Sequence, residues 1–375
     1  MSEREVGTQA DTRLVLTLDA GGTNLVFSAV QGDREVVEAV CLPSLADDLD
    51  TCLGQIRKGF ETVHDRTERS AVALSFAFPG PADYPDGIIG DLGNLPAFRG
   101  GIALGPMLED LFSLPVFINN DGDLFALGEA RAGFLPWVNG ELQSAGSGKY
   151  YRNLLGVTLG TGFGAGIVRD GRLFLGDNSA GAEIWLFRSK LDRRSFAEEG
   201  VSVRAVRREY ARLACTPLET VPEPKVLHAI ASGERPGDAA AAREAFRRLG
   251  EILGDALANA LTLIDGLVVI GGGLSGAAPW FLPALMEELN GEMETVDGSR
   301  VSRLEVKAFN LEDPAGRASF LRGAERTIGV PGSARSVRYD PAKRVGVGLS
   351  KLGTSRAVAL GAYAFALDAL DARAP

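Results

Sequence analysis

Histidine and cysteine are almost absent: the 375 residues include 2 His and 3 Cys. A four-cysteine zinc site is excluded by number, a mixed cysteine–histidine site by scatter, and a disulfide scaffold by both. Cys41, Cys52 and Cys215 are widely spaced and odd in number, so they read as reduced small hydrophobes, with no structural zinc expected. His64 and His228 fall in predicted helices away from every motif and receive no role. Basic residues are also in deficit, 39 Lys and Arg against 49 Asp and Glu, for a net charge of −10. Nucleic-acid binding needs clustered Lys and Arg, so no nucleic-acid partner is expected. No apolar run reaches the 18 residues that suggest a membrane span, and residues 1–12 are polar and acidic rather than leader-like. The expectation is a soluble, cytoplasmic protein with no membrane partner.

Glycine, by contrast, is abundant, at 47 of 375. Without a Gly-X-Y period, that excess belongs in turns and in loops that approach ligands closely. Residues 13–19 and 25–31 are short apolar runs, and Gly32-Asp33 leads into a third over 35–41, an opening β-meander. Leu49, Leu53, Ile56, Phe60 and Val63 predict an amphipathic helix over 47–67. A buried strand is expected at 71–78, a helix near 104–111, a strand at 115–119 and a helix over 122–132. This order fits one α/β layer.

After a polar stretch at 139–151, a second similar start follows: strand 154–159, glycine loop 160–166, strand 165–169 and a turn at 170–171, a weak internal repeat. Phe246, Leu249, Leu253, Leu257, Leu261 and Ile264 predict one long helix over 238–264. A strand at 266–270, a helix at 282–289 and a terminal helix at 355–370 complete the reading, with 301–353 left unassigned.

Three glycine turns and one carboxylate carry the chemistry. Asp19-Ala20-Gly21-Gly22-Thr23-Asn24 lies between two strands, so it is neither a Walker loop nor a dinucleotide fingerprint. Its backbone amides and the Thr23 hydroxyl suit phosphate oxygens, and Asp19 suits Mg²⁺, directly or through water. An ordinary tight turn is the alternative for this motif alone. Gly160-Thr161-Gly162 repeats the device, and Gly271-Gly272-Gly273 ends a strand where backbone can lie against a nucleotide. Asn119-Asn120-Asp121 closes a short apolar strand, and Asp121 is the best base, although it also suits the N-cap of the next helix.

These motifs, with Gly93-Asn94-Leu95-Pro96 and Gly128-Glu129-Ala130 in the same order, resemble the ROK family of sugar kinases and sugar-responsive repressors over nearly the whole chain. The resemblance implies the α/β, two-lobed, actin-like (ribonuclease-H-like) ATPase fold, with residues 1–121 as a smaller lobe completed by helix 355–375. Residues 122–354 would form a larger lobe with the nucleotide site. It implies an ATP-dependent, glucokinase-like transfer to a hydroxyl of a hexose or N-acyl-hexosamine, with Mg²⁺ as the metal and Asp121 as general base. Asn94 and Asn120 would hold sugar hydroxyls. Gly22, Thr23, Thr161 and Gly162 would contact the phosphates and Gly272 and Gly273 would lie near the adenosine, with Asp19, Gly21, Asn24 and Gly160 in the same cofactor site and Asp19 on the Mg²⁺. Family members are often dimers or tetramers.

The chain also departs from that family. Where members commonly carry Glu-x-Gly-His and then a Cys-rich zinc loop, this sequence has Glu183-Ile184-Trp185-Leu186 and no Cys between Leu186 and Glu198. Glu183 maps to the first family Glu, and Glu198 to the second, with Glu199 as the alternative. The family's repressors carry an N-terminal helix-turn-helix, whereas about a dozen residues precede the first strand here, which favours an enzyme. A catalytically weak sugar-binding or regulatory protein is the remaining rival, and two phosphate turns argue against it.

Overall fold

The structure, a computed structural model, describes residues 11–20, 23–92 and 97–373. Strand β1 (Leu14–Ala20) pairs antiparallel with β2 (Asn24–Gln31), Leu14 opposite Gln31 and Ala20 opposite Leu25. The expected third strand is split into β3 (Arg34–Glu35) and β4 (Val40–Pro43). Both pair with β2 at different positions along it; the Val36 amide still donates to the Ala29 carbonyl at 2.9 Å, and residues 37–39 intervene before pairing resumes at Val40.

Helix α1 (Leu49–Arg66) is capped by Asp48, whose side chain accepts from the Thr51 amide. Strand β5 (Ala71–Ala77) runs parallel to β1. The short strands β6 (Ala82–Asp83), β7 (Ile88–Ile89) and β8 (Ile102–Ala103) and helix α2 (Leu104–Phe112) follow. Strand β9 (Val116–Asn119), parallel to β5, completes the sheet order β3-β2-β1-β5-β9.

Helices α3 (Asp121–Arg131) and α4 (Phe134–Ser144) lead to β10 (Leu154–Leu159), β11 (Phe163–Arg169) and β12 (Arg172–Leu173). The expected glycine loop is therefore shorter, because Gly164 and Gly166 lie inside β11. Helices α5 (Val203–Leu213), α6 (Pro224–Ala231) and α7 (Ala239–Ile264) precede β13 (Leu267–Gly271) and α8 (Ala278–Leu289). Residues 301–353 are not featureless. After the hairpin β14 (Glu292–Glu294) and β15 (Arg300–Ser302) come β16 (Lys307–Asn310), α9 (Pro314–Arg322), the exposed hairpin β17 (Arg326–Gly329) and β18 (Ser336–Tyr339), and β19 (Arg344–Leu349). The second sheet has the order β12-β11-β10-β13-β19-β16, so β19 is an inner strand. Helix α10 (Thr354–Arg373) ends the described chain.

The chain divides into two compact units. One runs to Gly133 and takes in Gly166–Ala182 and the chain from Lys351; the other is Phe134–Ala165 with Glu183–Ser350. In the first, the period-2 alternation of β1 sends Leu14, Leu16 and Leu18 into one core with Ile56, Phe60 and Phe76. Val15 joins a second core with Leu360 and Tyr363 of α10. The Tyr363 hydroxyl accepts from the Gly32 amide at 3.0 Å and donates to the Arg13 carbonyl at 3.0 Å. Helix α3, read from sequence as the start of the larger lobe, belongs to this unit because it packs directly on α10. A Cβ on Gly128 would stand 1.9 Å from the Ala357 carbonyl oxygen, and one on Gly361 1.8 Å from that of Leu124, so only glycine permits the crossing.

In the second unit, the stripe of α7 is buried from Phe246 to Leu261, with Ile264 half-buried at the end of the helix, where the Asp265 amide caps the Leu261 carbonyl.

Candidate active site

Parallel strands place their carboxyl ends at one edge of a sheet, where α/β proteins bind ligands. In the first unit Asp19 of β1 is in register with Ala77 of β5, and Ala77 with Asn119 of β9. Three strand ends are thus aligned, about 10 Å across at the usual strand spacing. Asp121 follows two residues after Asn119 and is the first residue of α3. The cap itself is Asn120: its Oδ1 accepts from the Gly122 amide at 2.7 Å, leaving its Nδ2 as a donor. The Asp121 Oδ1 accepts from the same amide at 2.9 Å.

Asp121 remains open to solvent, yet the protein mass around it, and secondarily the charge of Asp19, raise its pKa above the ordinary value. Enclosure raises Asp19 as well, although its side chain is also solvent-accessible at the strand end. Thr23 and Asn24 are exposed at the start of β2. Gly21, Gly22 and Asn94 lie outside the described residues.

In the second unit β10 and β13 are parallel neighbours, Thr158 opposite Gly271, so the turn 160–162 and Gly272-Gly273 leave adjacent strand ends. The Gly160 amide donates to the Gly162 carbonyl at 3.0 Å. Among the described residues, the Thr161 and Gly162 amides donate to no protein acceptor and remain available to a ligand. Gly272 has φ +87°, and a Cβ there would meet the Leu159 carbonyl oxygen at 2.3 Å, so strand packing explains that glycine. Gly160 and Gly273 differ: a Cβ on either would meet no protein atom within 4 Å. Packing does not require glycine at those two positions, and their open backbone fits a ligand lying against it.

Glu183 is exposed and accepts a hydrogen bond from the Trp185 indole nitrogen. Trp185 also meets Phe196 edge-on, with centroids 5.6 Å apart. The segment between the two carboxylates closes on itself: the Ala197 amide donates to the Phe187 carbonyl at 2.7 Å and the Ser189 amide to Ser195 at 3.0 Å. Glu198 Oε2 accepts from the Phe163 amide at 2.9 Å. Glu198 Oε1 also pairs with Arg204, while Glu199 pairs with both Arg204 and Arg208, and hydrogen bonds from Arg204 first hold the Glu199 carboxyl below the ordinary range. Arg204, on α5, was not singled out in the sequence. Its spacing from Glu198 is unremarkable in an Arg-rich helix, and its partners are defined only by the fold.

These residues fit Mg-ATP. Asp19, a solvent-accessible carboxylate at a strand end, would suit a Mg²⁺ held directly or through water, with phosphate oxygens completing its shell; among the described residues no cluster of three or more His, Cys, Asp or Glu exists. The family profile described as ROK matches residues 15–318.

The chain belongs to the ROK family. Its relatives include the N-acetyl-D-glucosamine kinase of Photobacterium profundum, 31% identical over 68% of this chain and 83% of that protein. The glucokinase of Thermotoga maritima is 26% identical over 80% and 94%. Among solved structures, a glucokinase from Parabacteroides distasonis is 53% identical, covers 96% of this chain and 99% of its own, and superposes with a TM-score of 0.88. A ROK family glucokinase from Streptomyces griseus in complex with glucose and AMPPNP shares the fold at 19% identity and a TM-score of 0.58, over 94% and 98%. The fold is therefore the mixed α/β, actin-like ATPase fold of ROK sugar kinases, and these relatives place the chain among the family's sugar kinases. No helix among the described residues is long and apolar enough to cross a membrane.

Proposed function

We propose that the chain transfers the γ-phosphoryl group of ATP, with Mg²⁺, to a hydroxyl of a hexose or N-acyl-hexosamine, with Asp121 as general base. The observation that carries the reading is Asp121 itself, a solvent-accessible carboxylate of raised pKa at a strand-end row that includes Asp19. The 53% identity to a glucokinase and 31% identity to an N-acetyl-D-glucosamine kinase support the substrate class.

Mg-ATP supplies the phosphoryl group and neutralises charge as it moves. Asp121 accepts the proton of the attacking hydroxyl at a carboxylate oxygen, and its raised pKa makes that transfer easier. Asn94, Asn120, Glu183 and Glu198 orient the sugar, with Asn120 donating through Nδ2 and the glutamates accepting from hydroxyls. Glu198 is preferred to Glu199 because it sits against the turn through the Phe163 amide and shares only Arg204, whereas Glu199 is engaged by both Arg204 and Arg208. Gly21, Gly22, Thr23, Asn24, Thr161 and Gly162 donate to phosphate oxygens, and Gly160, Gly272 and Gly273 give the nucleotide close access to the backbone. An ATP donor is consistent with a cytoplasmic activity.

The test is ADP release over a panel of hexoses and hexosamines. Turnover with glucose or an N-acyl-hexosamine is expected. Binding of a sugar with no ADP release would contradict the reading and identify a sugar-binding protein.

A further inference from the structure

The turn 160–163 is held from one short segment by three independent bonds. The Val203 amide at the start of α5 donates to the Gly160 carbonyl at 2.9 Å. Arg204 Nη1 donates to the Thr161 carbonyl at 3.3 Å. Glu198 Oε2 accepts from the Phe163 amide at 2.9 Å, while Glu198 Oε1 is bound by Arg204 Nη2 at 2.7 Å. The same guanidinium reaches Glu199 Oε1 through Nε at 3.1 Å and Nη2 at 2.8 Å. One side chain therefore touches both the carboxylate that buttresses the turn and a carbonyl of the turn. The fit is close: a Cβ on Gly162 would lie 2.8 Å from Glu198 Oε2.

We propose that Arg204 is a positioning residue that locks Glu198 and the turn 160–163 into one unit, fixing the amides of Thr161 and Gly162 for a phosphate while it aims Glu198. The proposal rests on the kinase reading for the identity of that phosphate. Its structural part does not.

Global stability is a poor explanation for this contact. The Arg204 side chain is 45% exposed, against 19% for Glu198, and solvent-screened ion pairs of this kind add little to folding. Geometry is what the contact supplies. A guanidinium offers several donors in a fixed plane and can hold a carbonyl and two carboxylates at once, whereas an ammonium on a flexible stem cannot reproduce that fork. Preorganised donors matter because amides already aimed at an anion do not have to reorder when it arrives.

The experiment compares wild type, Arg204→Ala and Arg204→Lys. In the ligand-free proteins, backbone amide exchange of Phe163 should quicken about tenfold in Arg204→Ala with exchange elsewhere unchanged, and less in Arg204→Lys. Calorimetric titration with Mg²⁺ and a non-hydrolysable ATP analogue should show affinity about fivefold weaker in Arg204→Ala, partly rescued in Arg204→Lys, at unchanged melting temperature. A Phe163 exchange rate and analogue affinity within about twofold of wild type in both variants would overturn the proposal. If Arg204→Ala does not fold, Arg204→Lys carries both readouts. Failure of wild type itself to bind the analogue would overturn the kinase reading instead, and the exchange measurement would still judge the clamp.

Discussion

Asp121 and Asp19 hold like charges at one edge of the same sheet: enclosure first, and the Asp19 charge in addition, raise the Asp121 carboxyl above the ordinary aspartate value of 3.8. The Gly122 amide pulls the other way without cancelling this. The acid limb of kcat/KM should therefore lie above pH 3.8, because the base must be ionised to work. In the ligand-free protein, Asp19→Asn should lower the Asp121 pKa, read by carboxyl carbon NMR, since a like charge disappears. An unchanged or higher pKa would contradict the coupling.

The same shift bears on stability. A carboxyl raised in the native state binds more protons there than in the unfolded chain between the two pKa values, so stability falls as pH rises through that interval. Above it the native protein carries the full cost of an ionised Asp121, and below it none. Asp121→Asn should raise the melting temperature at pH 7, with the gain vanishing below pH 3.8. A variant that melts lower at pH 7 would contradict this.

Glycines in the first unit should respond with opposite signs. Gly128→Ala drives a methyl against the Ala357 carbonyl of α10 and should cost about 1–3 kcal/mol or more. Gly54→Ala, inside α1 with nothing within 4 Å of its Cβ, should gain about 0.5–1 kcal/mol. Urea unfolding of both variants decides the matter.

Trp185→Phe keeps the aromatic contact with Phe196 and removes the indole donor to Glu183. If Glu183 orients the sugar, KM for the sugar should rise by up to about tenfold, the worth of one hydrogen bond, while KM for ATP stays unchanged. A rise in both, or in neither, would detach Trp185 from acceptor binding.

What the sequence revealed was local. β1, β5 and β9 are continuous apolar runs, and the glycine turns and Asp121 follow directly from strand ends, so the alignment of Asp19 with Asn119 needed only the parallel register. The stripe of α7 was legible for the same reason. Strand β19 escaped because its inner positions alternate Val with Gly, Val345-Gly346-Val347-Gly348, which dilutes the apolar signal although Val345 and Val347 are buried. Helix α4 carries Pro136 and Gly140, and its second half falls in the stretch 139–151 that reads as merely polar. Helix α8 starts four residues earlier than its apolar pattern suggested, with Pro279 in its first turn and Pro283 inside it. The contacts of Glu198 with Phe163 and Arg204 span 35 and 6 residues and have no periodic signature; only the fold brings them together.

The central claim is that Asp121 takes the proton of the attacking hydroxyl. Its most direct test is a paired measurement on Asp121→Asn, ADP release with the best sugar of the panel and calorimetric affinity for that sugar. The account predicts a loss of kcat of about 10²–10⁴-fold or more with sugar affinity within about tenfold of wild type, because the amide still hydrogen-bonds but accepts no proton. Turnover near the wild-type rate would contradict it.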